Sequence, residues 1–137
     1  MELRLTFDEI SQMIEKKAGR ALPLSYGGPH TVRVSYDVNV LFKSASVGID
    51  LTVDQVVDSD IYLSFNGGAG IDFMVRQAIG MAKSRPGGEF IEQLDGNRIL
   101  LALSRTRQAG SLLEHVTLRD IRFDEHYAII DFVPKAL

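Results

Sequence analysis

The chain of 137 residues contains no cysteine. This absence excludes disulfide bonds, thiolate nucleophiles and sulfur-ligated metal sites. Long apolar runs are missing too, so no segment approaches the length of a transmembrane helix. The first ten residues lack the basic flank, apolar stretch and cleavage site of a secretory signal. We expect a cytoplasmic protein if this N-terminus is native, and a cell-envelope protein if a leader has been removed.

Excess charge of either sign is also missing, because the formal net charge is only −3. So weak a field does not attract nucleic acid or an anionic membrane surface over the whole molecule. Hydrophobic residues make up 45% of the chain and charged residues 24%, a balance typical of globular proteins. The length suits one hydrophobic core. The composition therefore predicts a single soluble domain spanning residues 1–137, with no nucleic-acid partner.

The first helix is predicted from its cap. Thr6 and Glu9 have the spacing of a capping box, which places the first helical residue at Phe7. Ile10 and Ile14 continue the apolar positions at helical spacing before a glycine and a proline end the pattern. One face of this helix is therefore apolar.

Three strands are predicted after this helix. From Thr31 onward, apolar and polar residues alternate with a period of two. A second alternation covers residues 47–53 and shifts by one residue at Asp54 and Gln55, which predicts a β-bulge. An Asp-Ser-Asp turn then leads into a third strand at residues 61–65.

The second half of the chain repeats this order. A glycine-rich segment at residues 66–70 precedes a second predicted helix, and further alternating segments follow. Residues 51–56 also align with residues 116–121, and each stretch leads through an acidic turn into a strand that contains phenylalanine. The repeat predicts a duplication, with pseudo-repeats of about residues 1–66 and 67–137.

These patterns predict an α+β fold. Two helices would pack on one face of a six- to seven-stranded antiparallel sheet, built from two copies of a helix-then-strands unit. The expected face carries Val32, Val34, Tyr36 and Val38. The space between helices and sheet would be either a sealed core or a slot for a ligand.

Apolar side chains on the two helices and the long strand are the candidates for lining such a slot. The candidate ligand-binding residues are Phe7, Ile10, Ile14, Tyr36, Val38, Met74 and Ile79.

A second candidate surface is basic, since several arginines fall in the predicted strands and loops of the second half. These residues are Arg98, Arg105, Arg107, Arg119 and Arg122. On neighbouring strands they would receive an anionic headgroup, a phosphate or a protein partner. The favoured alternative is a solvated sheet face, because Glu114, Asp120 and Asp124 are interleaved with them.

No segment carries a recognisable catalytic or metal-binding motif. The glycine-rich segment lacks the lysine and Ser/Thr of a phosphate-binding loop, and no histidine stands four residues from another ligand. The paired carboxylates fall in turns or at a helix start, where they have structural roles. The sequence therefore favours a protein that is not an enzyme and holds neither metal nor cofactor.

The order of helix, long alternating strands, helix and final strand pair is similar to the tubular lipid-binding superfamily (TULIP-like). The final pair reads Val-Thr-Leu-Arg-Asp-Ile at residues 116–121 and Ala-Ile-Ile-Asp-Phe at residues 128–132. The resemblance implies a long helix lying in a strongly curved antiparallel sheet, with an apolar ligand between them. A second likeness is to a single domain of a sliding clamp, which also duplicates a helix-plus-strands unit.

The leading expectation is a binding protein that holds a lipid-like or other hydrophobic ligand between helices and sheet. The alternative is an interaction or structural module with a sealed core. Leu41, an apolar residue on the polar side of its strand, would then favour a homodimer. A sliding-clamp-like domain is the third interpretation.

Overall fold

The computed structural model describes residues 1–18, 22–40, 43–67, 70–84, 88–105 and 113–135. These residues form an α+β fold, as predicted. The helices are α1 (Phe7–Ala18) and α2 (Ile71–Lys83). The strands are β1 (Glu2–Thr6), β2 (Leu24–Gly28), β3 (Thr31–Val40), β4 (Lys43–Val57), β5 (Asp60–Asn66), β6 (Ile91–Leu94), β7 (Arg98–Ala102), β8 (Val116–Phe123) and β9 (Tyr127–Pro134).

The strands belong to two antiparallel sheets. One sheet has three strands in the order β1-β9-β8, and the other has six in the order β2-β3-β4-β5-β7-β6. The sequence predicted one sheet of six or seven strands, so the structure differs in how it divides them. The division arises because β7 pairs with β5 and β6, whereas β8 pairs with β9 and not with β7.

The predicted capping box is present at the start of α1. The Glu9 N–H donates to Thr6 Oγ1 and the Thr6 N–H donates to Glu9 Oε1, both at 3.1 Å. Each bond satisfies a backbone donor that the first helical turn leaves without a partner. The helix begins at Phe7 for this reason.

The predicted bulge in β4 is also present, and β8 contains a matching one. The β4–β5 register shifts between Val53 and Gln55, and the β8–β9 register shifts between Leu118 and Asp120. The two shifts occupy equivalent positions in the aligned segments 51–56 and 116–121. Val53 and Leu118, the residues just before the shifts, are both buried.

Helix α2 packs directly on the six-stranded sheet. Ile71, Val75 and Ile79 are buried against Phe65 and Ile99. Partly buried residues around them are Val47, Ile49, Leu51, Leu63, Met74, Ile91 and Leu101. Since Val32 pairs with Leu51 and Val34 with Ile49, this is the predicted face of β3.

The three-stranded sheet packs on another part of that face. Val53 and Ile61 of the six-stranded sheet pack against Leu118. Partly buried residues of β8 and β9 complete this contact, namely Ile121, Phe123, Ile130 and Phe132. Leu63 and Leu101 pack against both clusters, so α2 and the three-stranded sheet share one continuous core.

Two glycines in the predicted join between the halves have specific structural reasons. A Cβ atom at Gly67 would lie 2.6 Å from Ile71 Cγ1, so only glycine allows this close approach. Gly70 is the N-cap of α2 with a φ of 84°, a left-handed conformation that glycine adopts without steric cost. The segment therefore fixes the start of α2.

The β4–β5 turn holds the one buried polar residue found in the described part of the chain, Ser59. Asp58 and Ser59 have φ values of 50° and 70°, as a two-residue hairpin turn with the native strand twist requires. The Leu118 N–H donates to Ser59 Oγ at 3.1 Å. The turn thereby satisfies a buried donor of the other sheet.

Replacing Ser59 tests this bond against the backbone strain. Ser59→Ala should lower the free energy of unfolding by about 1–3 kcal/mol, because it leaves the Leu118 N–H without a partner. Ser59→Gly loses the same bond but relieves the positive φ, which offsets up to about 1 kcal/mol. Urea unfolding should therefore rank wild type, then glycine, then alanine. The control Asp58→Gly should cost nothing, and an alanine variant as stable as wild type would contradict the bond.

The β8–β9 turn is held by a carboxylate. Asp124 Oδ1 accepts the backbone N–H groups of His126 at 2.8 Å and Tyr127 at 2.7 Å. These two bonds favour the ionised form and hold the pKa of Asp124 below its usual value. Because the pKa is lowered by folding, the stabilisation is present above the unfolded-state pKa and is lost as the pH falls through the folded-state pKa.

Asp124→Ala should therefore lower the melting temperature at about pH 7, and the difference from wild type should shrink as the pH falls below about 4. Asp124→Asn keeps an acceptor oxygen without the charge, so its effect should be smaller than that of alanine, and it should shrink over the same pH range because this variant also lacks the ionised carboxylate. Thermal unfolding followed by circular dichroism measures both. A difference for the alanine variant that stays constant down to about pH 2 would contradict the ionic contribution.

Candidate functional site

The two helices differ in how completely their apolar faces are covered. In α2, Ile71, Val75 and Ile79 are all buried. In α1, the corresponding apolar residues are only partly buried; they are Phe7, Ile10 and Ile14. An apolar helix face that its own protein does not cover fully is available to another apolar molecule.

Helix α1 contacts an edge strand of each sheet. It contacts β1, the edge strand of the three-stranded sheet, and β2, the edge strand of the other. The Phe7 ring lies 6.3 Å from the ring of Phe123 in β8. Ser11 Oγ also donates to the Leu22 carbonyl at 2.9 Å, which fixes the helix to the segment before β2.

Exposed apolar side chains concentrate around α1. Large hydrophobic residues that remain exposed on α1, on its two neighbouring strands or just before β1 are Met1, Leu3, Met13 and Tyr26. Together with the partly buried Phe7, Ile10 and Ile14 they form what we call the α1 surface. Elsewhere in the described part, exposed residues of this kind lie on α2 and at the end of β4, namely Phe73, Met81 and Val57.

The structure divides the candidate ligand-binding residues between two places. Phe7, Ile10 and Ile14 belong to the α1 surface. Ile79 is part of the core beneath α2, and Met74 packs against that core. Helix α2 contacts β6, which is the edge strand of the six-stranded sheet opposite β2. The remaining two candidates, Tyr36 and Val38, lie in β3, and their side chains fall outside the described part of the structure.

Sequence reasoning missed the contributions of β1 and β2 to the α1 surface. Leu3 and Leu5 alternate with charged residues, which is a strand signal, but five residues before a helix cap are too few to be decisive. In β2, Gly27 and Gly28 obscure the pattern, because glycine is unfavourable in strands. Met1 and Tyr26 were not predicted as site residues for this reason.

The described candidate basic residues lie in strands of both sheets or just after β7, and acidic groups accompany two of them. Arg105 forms an ion pair with Glu92 at 3.6 Å, and Arg98 lies 5.8 Å from the centroid of the Tyr62 ring. The other described pair is on β8, where Arg119 is exposed at the bulge and Arg122 binds both Glu2 and Asp131. Arg107 lies outside the described residues.

Hollows open on the surface at the β4–β5 turn and beside α2. One of about 240 Å³ lies between the β4–β5 turn and β8, lined by Asp58, Ser59, Leu113, Thr117 and Lys135. A wider one of about 370 Å³ lies beside α2, lined by Arg76, Gln93, Leu94, Asp95 and Gly96. None of the candidate ligand-binding residues lines either hollow.

Among the described residues, no group of three or more His, Asp or Glu side chains could hold a metal ion. All three histidines, at positions 30, 115 and 126, are exposed. Neither helix in this part of the chain has the length and apolar character needed to cross a bilayer.

Comparison with known proteins found no match. No family model, no curated protein and no solved structure is similar to this chain at a significant level.

Because the apolar face of α2 is buried more completely than that of α1, shortening an apolar side chain should destabilise the protein more in α2 than in α1. Ile79→Ala should lower the free energy of unfolding by about 2–5 kcal/mol, because it leaves a cavity in the core. Ile14→Ala removes the same atoms from a partly buried position and should cost about 1 kcal/mol or less. Chemical denaturation of both variants measures the difference. Equal losses would show that α1 is packed as completely as α2.

Proposed function

We propose that this protein is a non-enzymatic binding protein that holds a lipid-like or other hydrophobic ligand at the α1 surface. The observation that carries the proposal is the contrast between the helices, since Phe7, Ile10 and Ile14 of α1 are only partly buried, whereas Ile71, Val75 and Ile79 of α2 are buried. Apolar ligands bind where a concave or grooved apolar surface removes them from water. The ligand would contact Phe7, Ile10 and Ile14.

The packing beneath α2 supports a ligand site at α1, because packed side chains already occupy the space beneath α2. Ile71, Val75 and Ile79 already fill the contact with the six-stranded sheet. A ligand there would have to displace packed side chains, which costs several kcal/mol. The proposed ligand therefore enters from the edge occupied by β1, α1 and β2.

Descent from a duplicated unit is part of this proposal. Each half of the chain has a helix followed by four strands, and the bulges in β4 and β8 occupy equivalent positions. A long helix in a strongly curved antiparallel sheet, with an apolar ligand between them, is what the resemblance to the tubular lipid-binding superfamily implies. Curvature of the six-stranded sheet around that ligand belongs to the same proposal.

A matched pair of methionines tests the location. Met13 on α1 and Met81 on α2 are exposed to 56% and 64%, so each can be replaced by glutamine at little cost to folding. Met13→Gln should weaken binding of a fluorescent fatty acid about five- to tenfold, because it removes apolar contact from the ligand. Met81→Gln should leave the affinity unchanged.

Native mass spectrometry of protein purified without detergent complements this titration. A hydrophobic ligand carried from the host should appear as added mass that Met13→Gln reduces. A single species at the ligand-free mass, with no change in melting temperature when fatty acids or phospholipids are added, would contradict the proposal.

The second candidate is an interaction or structural module with a sealed core. The closed packing of α2 on the six-stranded sheet supports it. In that case the α1 surface would contact another protein, and the same titration would show no binding of fatty acid by either methionine variant or by wild type.

A further inference from the structure

Strand β1 presents an open backbone edge. It is the outermost strand of the three-stranded sheet. The Phe132 N–H donates to the Met1 carbonyl at 2.8 Å, and the Met1 nitrogen donates to the Phe132 carbonyl at 2.9 Å. Because hydrogen-bonded pairs alternate along an antiparallel ladder, the N–H and C=O groups of Glu2 and Arg4 point away from β9.

The opposite edge of the same sheet is covered. In β8, the outward N–H of Leu118 donates to Ser59 Oγ and that of Phe123 donates to the Pro29 carbonyl at 2.7 Å. A bulge at Arg119 further disrupts this edge. In β1 the ladder is regular, and within the described part of the chain the outward backbone groups of Glu2 and Arg4 bond to no other residue.

The sequence of β1 is complementary to itself. When two copies run antiparallel about Leu3, Glu2 of one stands opposite Arg4 of the other, and the same ion pair forms a second time. The backbone groups match in this register, because Glu2 and Arg4 are the residues whose groups point outward. The next register with matched groups is centred on Arg4, which would place two arginines opposite each other and is unfavourable.

We propose that two copies of this chain associate through β1, so that their two three-stranded sheets join into one continuous sheet across a twofold axis. Edge-to-edge strand addition of this kind is a recurring mode of protein recognition, and an axis through Leu3 makes both contact surfaces identical. Glu2 Oε1 already accepts Arg122 Nη2 at 2.8 Å, so the ion pairs across the axis extend an existing network. Leu3, which is 45% exposed, lies opposite Leu3 of the second copy in this register, so the association covers part of its apolar surface. The association rests on the backbone groups and charges of β1 and requires no ligand, although Leu3 belongs to both the dimer contact and the α1 surface.

Charge reversal provides the test. Sedimentation equilibrium of the wild-type chain, with no residues added before Met1, should show a concentration-dependent mass that rises from 15.2 kDa toward twice that value. Glu2→Arg and Arg4→Glu each place like charges opposite one another twice, and each should weaken self-association about tenfold or more. A mixture of the two variants restores both ion pairs across the axis and should associate more tightly than either variant alone, even though Glu2→Arg also loses the contact with Arg122.

Two further variants separate the edge from general effects of charge and folding. Arg33 forms an ion pair with Asp50 at 2.8 Å, and its side chain is 57% exposed, the same as that of Arg4. Arg33→Glu should therefore leave self-association unchanged. Arg4→Pro removes an outward N–H but no bond to β9, so it should abolish the dimer while circular dichroism stays that of wild type.

Specific outcomes would overturn the proposal. A wild-type chain that stays at the monomer mass over the whole concentration series excludes it. Single variants that dimerise as tightly as wild type place the interface elsewhere. A mixture that fails to associate shows that the variants lost association through misfolding and not through the ion pairs of β1.

Discussion

The fold depends on the contact between the two sheets at Leu118. This residue is only 2% exposed and packs against Val53 and Ile61, next to the bulge in each hairpin. Leu63 and Leu101 extend the same core to α2. Without the sheet-to-sheet contact, α2 would cover only part of the six-stranded sheet, and the remaining apolar face would be left in water. The position of both helices therefore depends on the contact between the two sheets, to which neither helix contributes the central residues.

Local patterns predicted most of the elements because each has a short-range physical cause. The Thr6–Glu9 capping box set the first residue of α1, and the one-residue shift at Asp54 located a bulge that the strand register contains. Periodicity gave α2 and the long strands, since a helix or strand with one buried face repeats its apolar residues at a fixed spacing. These signals act over a few residues, and the α+β class follows from them.

The pairing of the strands and the burial of the helix faces could not be predicted from these local patterns. The alternation in β7 is identical whether its neighbour is β5 or β8, so the division into two sheets left no mark in the sequence. Ile14 and Ile79 occupy similar apolar stripes, yet only Ile79 is buried. A stripe shows that a helix has an apolar face, whereas what lies against that face is decided by distant segments. The sequence therefore predicted that both helices have apolar faces, but not that one face would be buried and the other only partly buried.

The pairing of β1 with β9 joins segments separated by more than 120 positions in the sequence. Contacts this distant form slowly, because a long loop must close before any of its bonds can stabilise it. During synthesis, β1 leaves the ribosome long before its partner exists, and α1 has no second sheet beside it until β9 arrives. Until β9 has been synthesised, the newborn chain must therefore keep an unpaired strand and an amphipathic helix from binding wrong partners, which makes this interval prone to aggregation.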